Sequence, residues 1–548
     1  MTAGTGRGLL WCAVGFLALG AASIHAERVG VFVDDAIYLT SGIELAHGGG
    51  YRVPFLPGDP LAGKYPPLYP ALLGVASWVL PPLPQSLLYY KLWTLLMAVP
   101  GLVFTVRWLA LEGPEGDRRW TPFVVGGTAF NAGLLSICGE AMSEALFFSL
   151  LMATLWRMRS AEYLGPSREG RVAFMGALGC AVLLTHTRSL GALALPVVLL
   201  RGPRLLGMRR TLAAGAASLV TLLPWWWWSR LHVPQHEPMA EALPYLTGYG
   251  YHTDAVLEYF RSSTSSLSHY ASACMRATVK GLGTTVLPWP NRYTVEVLRA
   301  PIGPSAVVAT GLVLVGLAVR LKQRRAAAEL LLIYLVVASA WPWFNKTRFF
   351  VAVLPLILWC MLGALQLVSA KRDSASRLLV AGLFGLMLVS NGTDYLTQGF
   401  MQGSTAEAIA GPDPDGHGSA ITRACKWIQD NTPSNAILVA DFTGPLLAIH
   451  CHRDALPYRM ALTSPGEHLA SLLEARPAGT APLESVLARA RPVLANRPLY
   501  HVWLCEHACD VPTLARSWEA VFRDRSLPDA AIAIRRIKRA AWRESPRD

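Results

Sequence analysis

Charge is scarce in this sequence. Asp, Glu, Lys and Arg make up 16% of its 548 residues, where soluble domains carry about 25%. A chain so poor in charge and 53% hydrophobic is neither a cytosolic globular enzyme nor a disordered segment. The formal net charge of +13 does not describe a basic surface for nucleic acid, because the Lys and Arg fall in connections between apolar runs. No nucleic-acid partner is expected. What is abundant is apolar sequence long enough to cross a roughly 30 Å hydrocarbon core, and the partner this implies is the lipid bilayer.

Eleven crossings are expected, at 9–26, 86–106, 120–137, 142–157, 172–186, 189–201, 210–230, 302–319, 327–343, 349–369 and 377–395. The runs at 172–186 and 189–201 read equally as one long tilted helix or as a helical hairpin. The stretch 66–83 is apolar too, but its five prolines mark an interfacial segment rather than a crossing. Basic residues gather in alternate connections: Arg157, Arg159, Arg168 and Arg171; Arg201, Arg204, Arg209 and Arg210; Arg320, Lys322, Arg324 and Arg325; Lys371, Arg372 and Arg377. The positive-inside rule assigns these four to the cytoplasm. With the N-terminus inside, eleven crossings satisfy all of them and put the tryptophans at 225–228, with Trp341 and Trp343, at the outer interface. A cleaved signal peptide ending near Ala26 also fits the first run, although Ile24 is a poor residue two positions before the cut. Sidedness is the same either way. Residues 27–85, 231–301 and everything after about 396 then lie outside the inner (cytoplasmic) membrane of a multi-pass protein.

The last 150 or so residues change character. Periodicity predicts a helix around Trp427, a turn at 431–435, a buried strand at 436–440 and another helix. "PLYHVWL" and "AAIAIRRI" read as strands, with a helix around Trp518 between them. The expected organisation is an α-helical membrane domain over 1–396 and a small extracytoplasmic α/β domain over 397–548. Nine cysteines are an odd number spread over both compartments, so no complete disulfide framework follows. Cys425, Cys451, Cys505 and Cys509 lie where disulfides form, and Cys505 with Cys509 is as consistent with a pair as with two thiols. His450, Cys451, His452, Cys505, His507 and Cys509 can be drawn as a zinc site, but without a known ligand spacing. Surface histidines and a disulfide account for them more simply, so no metal site is assigned; a need for a divalent cation is left open.

Ionisable residues beside membrane segments are costly unless solvated or used. Asp34 and Asp35 follow the first run directly, and two readings fit them: caps for a helix from about Ala36 to His47, or chemistry. Lys64 and Tyr65 sit before two prolines, Glu144 opens the fourth run, and Arg188 and Arg348 close or open others. Each lone cation is also consistent with snorkelling to headgroups; all of these charges on one leaflet suggest a site. In 231–301, Tyr245, Tyr249, Tyr251, Tyr259, His252, Asp254 and His269 suit either sugar stacking and a lid or residence at the interface.

In order along the chain, the acidic pair, "KYPPLYPALL", "SEALFF", "TRSLG" and "TRFFVAVLPLIL" resemble the bacterial GT-C glycosyltransferases. These include protein O-mannosyltransferases, lipid A aminoarabinose transferases and relatives that decorate lipopolysaccharide cores. The likeness covers about 9–370 and, more weakly, the C-terminal domain through "WIQDNTPSNAIL". It implies a GT-C fold and an inverting transfer of sugar from a polyprenyl-phosphate donor to an envelope lipid, glycan or protein. It implies Asp34 as general base, Asp35 as an orienting or metal-coordinating neighbour, and Glu144 near the acceptor or the base. Lys64, Arg188 and Arg348 would bind the donor phosphate, although Tyr65 separates Lys64 from the prolines it adjoins in the family. Tyr65, Tyr249 and His252 are the candidates for acceptor or sugar contacts. Nothing selects the sugar. Two other readings remain: a transporter or flippase of lipid-linked sugars, which would favour repeats, broken helices and midplane charges, and a catalytically inactive GT-C relative.

Overall fold

The computed structural model describes residues 3–25, 29–30, 33–112, 120–233, 256–257, 261, 267–289, 302–341, 346–368, 373–401, 420–440, 444–457, 494, 497–505, 518–524 and 531–537. Four described helices are long and apolar enough to cross a membrane: Leu87–Glu112, Arg168–Thr187, Pro304–Lys322 and the Arg377–Leu396 part of Asp373–Met401. Thr121–Ala129 and Ala132–Cys138 qualify as a pair bent by 50°. Gly8–Ala22, Leu68–Ser77, Ser189–Leu199, Ala326–Ala340 and Leu354–Leu367 are shorter apolar helices of 10–17 residues. The described residues divide into two compact units that follow space rather than sequence. One takes Met1–Ile24, Lys91–Pro224 and Ser265–Thr397; the other takes His25–Tyr90, Trp225–Thr264 and Gln398–Asp548.

The first unit is a helical bundle. Its closest approaches need residues without a side chain: a Cβ on Gly316 would lie 1.7 Å from the Cys360 carbonyl oxygen, which lets Pro304–Lys322 lie flat on Leu354–Val368. The bend at Asn131 frees backbone amides that hydrocarbon cannot satisfy. Asn131 caps the second half by accepting from Leu134 N at 2.9 Å, and its amide donates to Thr285 O at 2.7 Å. Asn391 Oδ1 takes both Ala132 N (2.9 Å) and Asn131 Nδ2 (3.1 Å). The ambiguity over 172–201 resolves as a hairpin. Arg168–Thr187 ends where Arg188 turns extended (φ −151°, ψ 141°), and Ser189–Leu193 and Ala194–Leu199 fold back on that helix. Gly191 permits this turn, since a Cβ there would meet Leu184 O at 2.4 Å.

In the second unit, Asp34–Ala46 packs on Leu68–Ser77, where a Cβ on Gly42 would lie 2.1 Å from Pro70 O. At about 1.5 Å per residue, the ten residues of Leu68–Ser77 are far too short to span. The C-terminal strands form one sheet in the order β2 (Asp454–Pro457), β1 (Ile437–Ala440), β3 (Leu499–Cys505), β5 (Ala531–Ile537), β4 (Trp518–Asp524). β1 is parallel to both neighbours, and β5 is antiparallel to β3 and β4. All four β1 residues are buried, as a strand covered on both faces requires. The helix expected around Trp518 is instead strand β4. Its apolar Trp518, Ala520 and Phe522 alternate, and the strand pairs with β5 through a register shift between Ala520 and Phe522; antiparallel pairing decides over helical propensity. Helices Ala420–Asn431 and Gly444–Cys451 are joined by a Cys425–Cys451 disulfide. Cys451, one of the three cysteines drawn into a zinc site, is thereby consumed, while a Cys505–Cys509 pairing lies outside the described residues. Edge strand β2 is tied to the 25–90 stretch, where Ala455 N donates to Phe55 O at 2.8 Å.

Candidate active site

The sequence candidates gather into two clusters, one in each unit. The first is built around the start of Asp34–Ala46. Val33 precedes this helix with a positive φ of 60°, and its own apolar side chain makes no cap hydrogen bond. A β-branched residue there costs on the order of 1–3 kcal/mol, an outlier of the kind found at functional sites. Asp35 Oδ2 accepts from Gly30 N at 2.7 Å and so fixes the chain entering the helix, with Gly30 itself at φ 80°.

Asp34 Oδ1 accepts from the Tyr65 hydroxyl and faces Lys64 Nζ at 3.5 Å. Asp34, Asp35 and Lys64 are all buried. Tyr65, which interrupts the expected spacing, thus does not carry Lys64 away: both consecutive side chains reach the same carboxylate. Their backbone is held in turn. Tyr51 OH donates to Tyr65 O at 2.8 Å, and burial pushes the Tyr51 phenol well above its usual range, so it stays a donor. Trp228 Nε1 donates to Ala62 O at 2.9 Å. The Tyr65 ring lies 4.6 Å from Tyr38, whose ring meets Tyr69 edge-on at 5.2 Å. The Lys64 ammonium sits 4.9 Å from the Tyr65 ring centre.

In the other unit, Arg188 and Arg348 both ion-pair with Glu144 Oε1. Three residues read separately in the sequence form one triad. Glu144 is 1% exposed and the arginines 12–13%, so both cations turn to a buried carboxylate. The extended turn at Arg188 aims that side chain, and its guanidinium also lies 5.5 Å from the Phe349 ring centre. The triad carries a net charge of +1 and presents two guanidinium forks, a donor set suited to a phosphate. A second buried pair, Lys91 Nζ to Glu140 Oε2 at 2.6 Å, escaped the sequence reading. Its signals were a lysine inside an apolar run and a second acid four residues before Glu144.

Tyr249 and His252 lie outside the described residues. No group of three or more His, Cys, Asp or Glu that could hold a metal ion occurs among the described residues.

No family model and no curated protein matches the sequence. Among solved structures, the chain is similar over 97% of its length to ArnT from Cupriavidus metallidurans bound to undecaprenyl phosphate. That likeness has 16% identity, 98% coverage of ArnT and a TM-score of 0.52. The fold is that of the GT-C glycosyltransferases. The Archaeoglobus fulgidus oligosaccharyltransferase in its apo form shares this GT-C fold with the chain at 12% identity, over 90% of this chain and 69% of its own, with a TM-score of 0.51.

Proposed function

We propose that the chain is a glycosyltransferase of the inner membrane. It transfers a sugar, with inversion, from a polyprenyl-phosphate donor to a lipid, glycan or protein of the envelope on the extracytoplasmic face. The observation that carries this reading is the Asp34 carboxylate, buried and oriented by Tyr65 and Lys64 at the start of a helix, in a chain with the GT-C fold. Undecaprenyl phosphate bound to ArnT supports a lipid-phosphate donor. The arrangement proposed with it is eleven crossings with the N-terminus inside, a membrane domain over 1–396 and residues 397–548 outside.

In this mechanism Asp34 accepts the proton of the acceptor hydroxyl. The acceptor oxygen bonds to the anomeric carbon from the face opposite the phosphate, and the carbon–phosphate-oxygen bond breaks with its electron pair staying on the phosphate. Arg188 and Arg348, held by Glu144, are assigned to the phosphate, where their charge offsets the leaving oxyanion. Lys64, beside Asp34, is assigned to donor phosphate as well, and Asp35 positions the base through the backbone.

The bent Thr121–Cys138 region is the feature that favours transport instead, yet its freed amides are satisfied within the bundle by Asn131 and Asn391. One assay separates the readings. Purified protein is supplied with radiolabelled polyprenyl-phosphate sugar and crude envelope acceptor, and wild type is compared with Asp34→Asn. The expected loss of transfer is about 100-fold or more. Transfer retained by Asp34→Asn overturns the assignment of the base, and label moved across a bilayer without a new glycosidic bond favours transport.

A further inference from the structure

Two residues before Arg348 stands a second cation, Lys346, with no solvent exposure at all. On a helix, residues two apart point about 200° from each other, so within Lys346–Val351 the two cations serve opposite sides. Arg348 turns to Glu144. Lys346 turns to the end of Ala326–Ala340 and to Leu267–Val286. Its ammonium lies 2.9 Å from Ala338 O, 2.7 Å from Ser339 O, 3.4 Å from Cys274 O and 3.3 Å from Thr278 Oγ1.

An ammonium has three protons to give, and four oxygens already surround this one. It is neither a headgroup anchor nor a phosphate ligand. The last carbonyls of a helix lack partners and attract a cation, so Lys346 is a tie from that helix end to the segment carrying Arg348. Two further contacts hold the same segment. Tyr334 OH donates to Phe349 O at 2.8 Å, and a Cβ on Gly281 would lie 2.8 Å from Lys346 Cβ and 3.0 Å from the Phe350 ring. Only glycine lets the segment approach so closely.

We propose that Lys346 is a positioning residue that sets Arg348 against Glu144 and thereby shapes the phosphate-binding face of the triad. This rests on the assignment of Arg348 to the donor phosphate. The test is direct binding of radiolabelled undecaprenyl phosphate to the full-length protein in nanodiscs, for wild type, Lys346→Met, Arg348→Ala and the double variant. Lys346→Met and Arg348→Ala should each weaken binding about tenfold, the scale of one charge-assisted bond. The double variant should bind no more than about threefold worse than Arg348→Ala alone, because residues acting through one group are not additive.

Tyr334→Phe removes one hydroxyl from the same segment and carries the same test if Lys346→Met does not fold. It should weaken binding about threefold in the wild-type background and leave Arg348→Ala unchanged. Losses that multiply in the double variants overturn the proposal. So does wild-type affinity in Lys346→Met, or in Tyr334→Phe where that variant stands in, when Arg348→Ala is impaired; that result leaves the donor reading standing. Wild-type affinity in Arg348→Ala overturns the donor reading and this inference with it.

Discussion

Glu144→Gln separates two jobs at this residue, holding the arginines and taking part in proton transfer. The substitution keeps the shape and one acceptor oxygen but deletes the negative charge on which Arg188 and Arg348 converge. Two unit charges about 4 Å apart repel by about 4 kcal/mol at an effective dielectric of about 20. That agrees with the 3–5 kcal/mol typical for removing one partner of a buried ion pair. Against a total stability of about 5–15 kcal/mol, such a loss is severe and leaves a folded fraction to assay. Unfolding in mixed micelles should therefore show Glu144→Gln less stable by about 3–5 kcal/mol. Transfer per folded molecule at saturating donor should fall by less than about tenfold, unlike the loss of about 100-fold expected when a general base is removed. A stability change below about 1 kcal/mol, as for an exposed pair, would falsify the buried triad. A 100-fold loss of transfer at unchanged stability would instead make Glu144 a participant in proton transfer.

Three further outcomes follow from other contacts. Asn391→Leu strands Ala132 N and Asn131 Nδ2 at the helix bend, so stability in the same micelle assay should drop by about 2–4 kcal/mol; a drop under 0.5 kcal/mol, within the ordinary scatter of surface changes, contradicts the role given to that bridge. Cys425→Ser opens a link between residues 26 apart, worth roughly 3 kcal/mol by loop closure; reductant should lower the wild-type melting temperature to that of the variant, and a variant unaffected by the loss argues against the bond. Asp59 has its carboxyl raised by partial burial first, then by the charges of Asp454 and Glu44. Its contribution to stability is thus complete below the unfolded value of about 3.9 and is lost as pH rises through the folded value. Asn suits the left-handed conformation at this position (φ 46°), so Asp59→Asn should narrow the difference in melting temperature between pH 4 and pH 8; an equal or wider difference rejects that account.

Local patterns were legible wherever neighbours in sequence decide the outcome. The helix around Trp427, the buried strand at 436–440 and the helix after the acidic pair occur within a few residues of their expected limits. Trp518 was misread because seven residues of ambiguous propensity take their state from a partner strand. The acids, Lys64 and both arginines were visible as costly charges near apolar runs, but their partners were not. Glu144 and Arg348 are 204 residues apart, and nothing short of the packed bundle brings them together. Tyr65 looked like an interruption and is a ligand of Asp34. Lys346 was passed over beside Arg348, and only its burial among helix-end carbonyls gives it a separate part.

The hydrogen bond from Ala455 to Phe55 joins residues made about 400 codons apart. At roughly 5–20 residues per second, the earliest-made part of the second unit waits on the order of 20–80 s before strand β2 emerges to meet it. Completion of the 25–90 stretch is thus a late event of biogenesis, and a stop codon placed just ahead of Asp454 would leave the Phe55 carbonyl without its β2 donor.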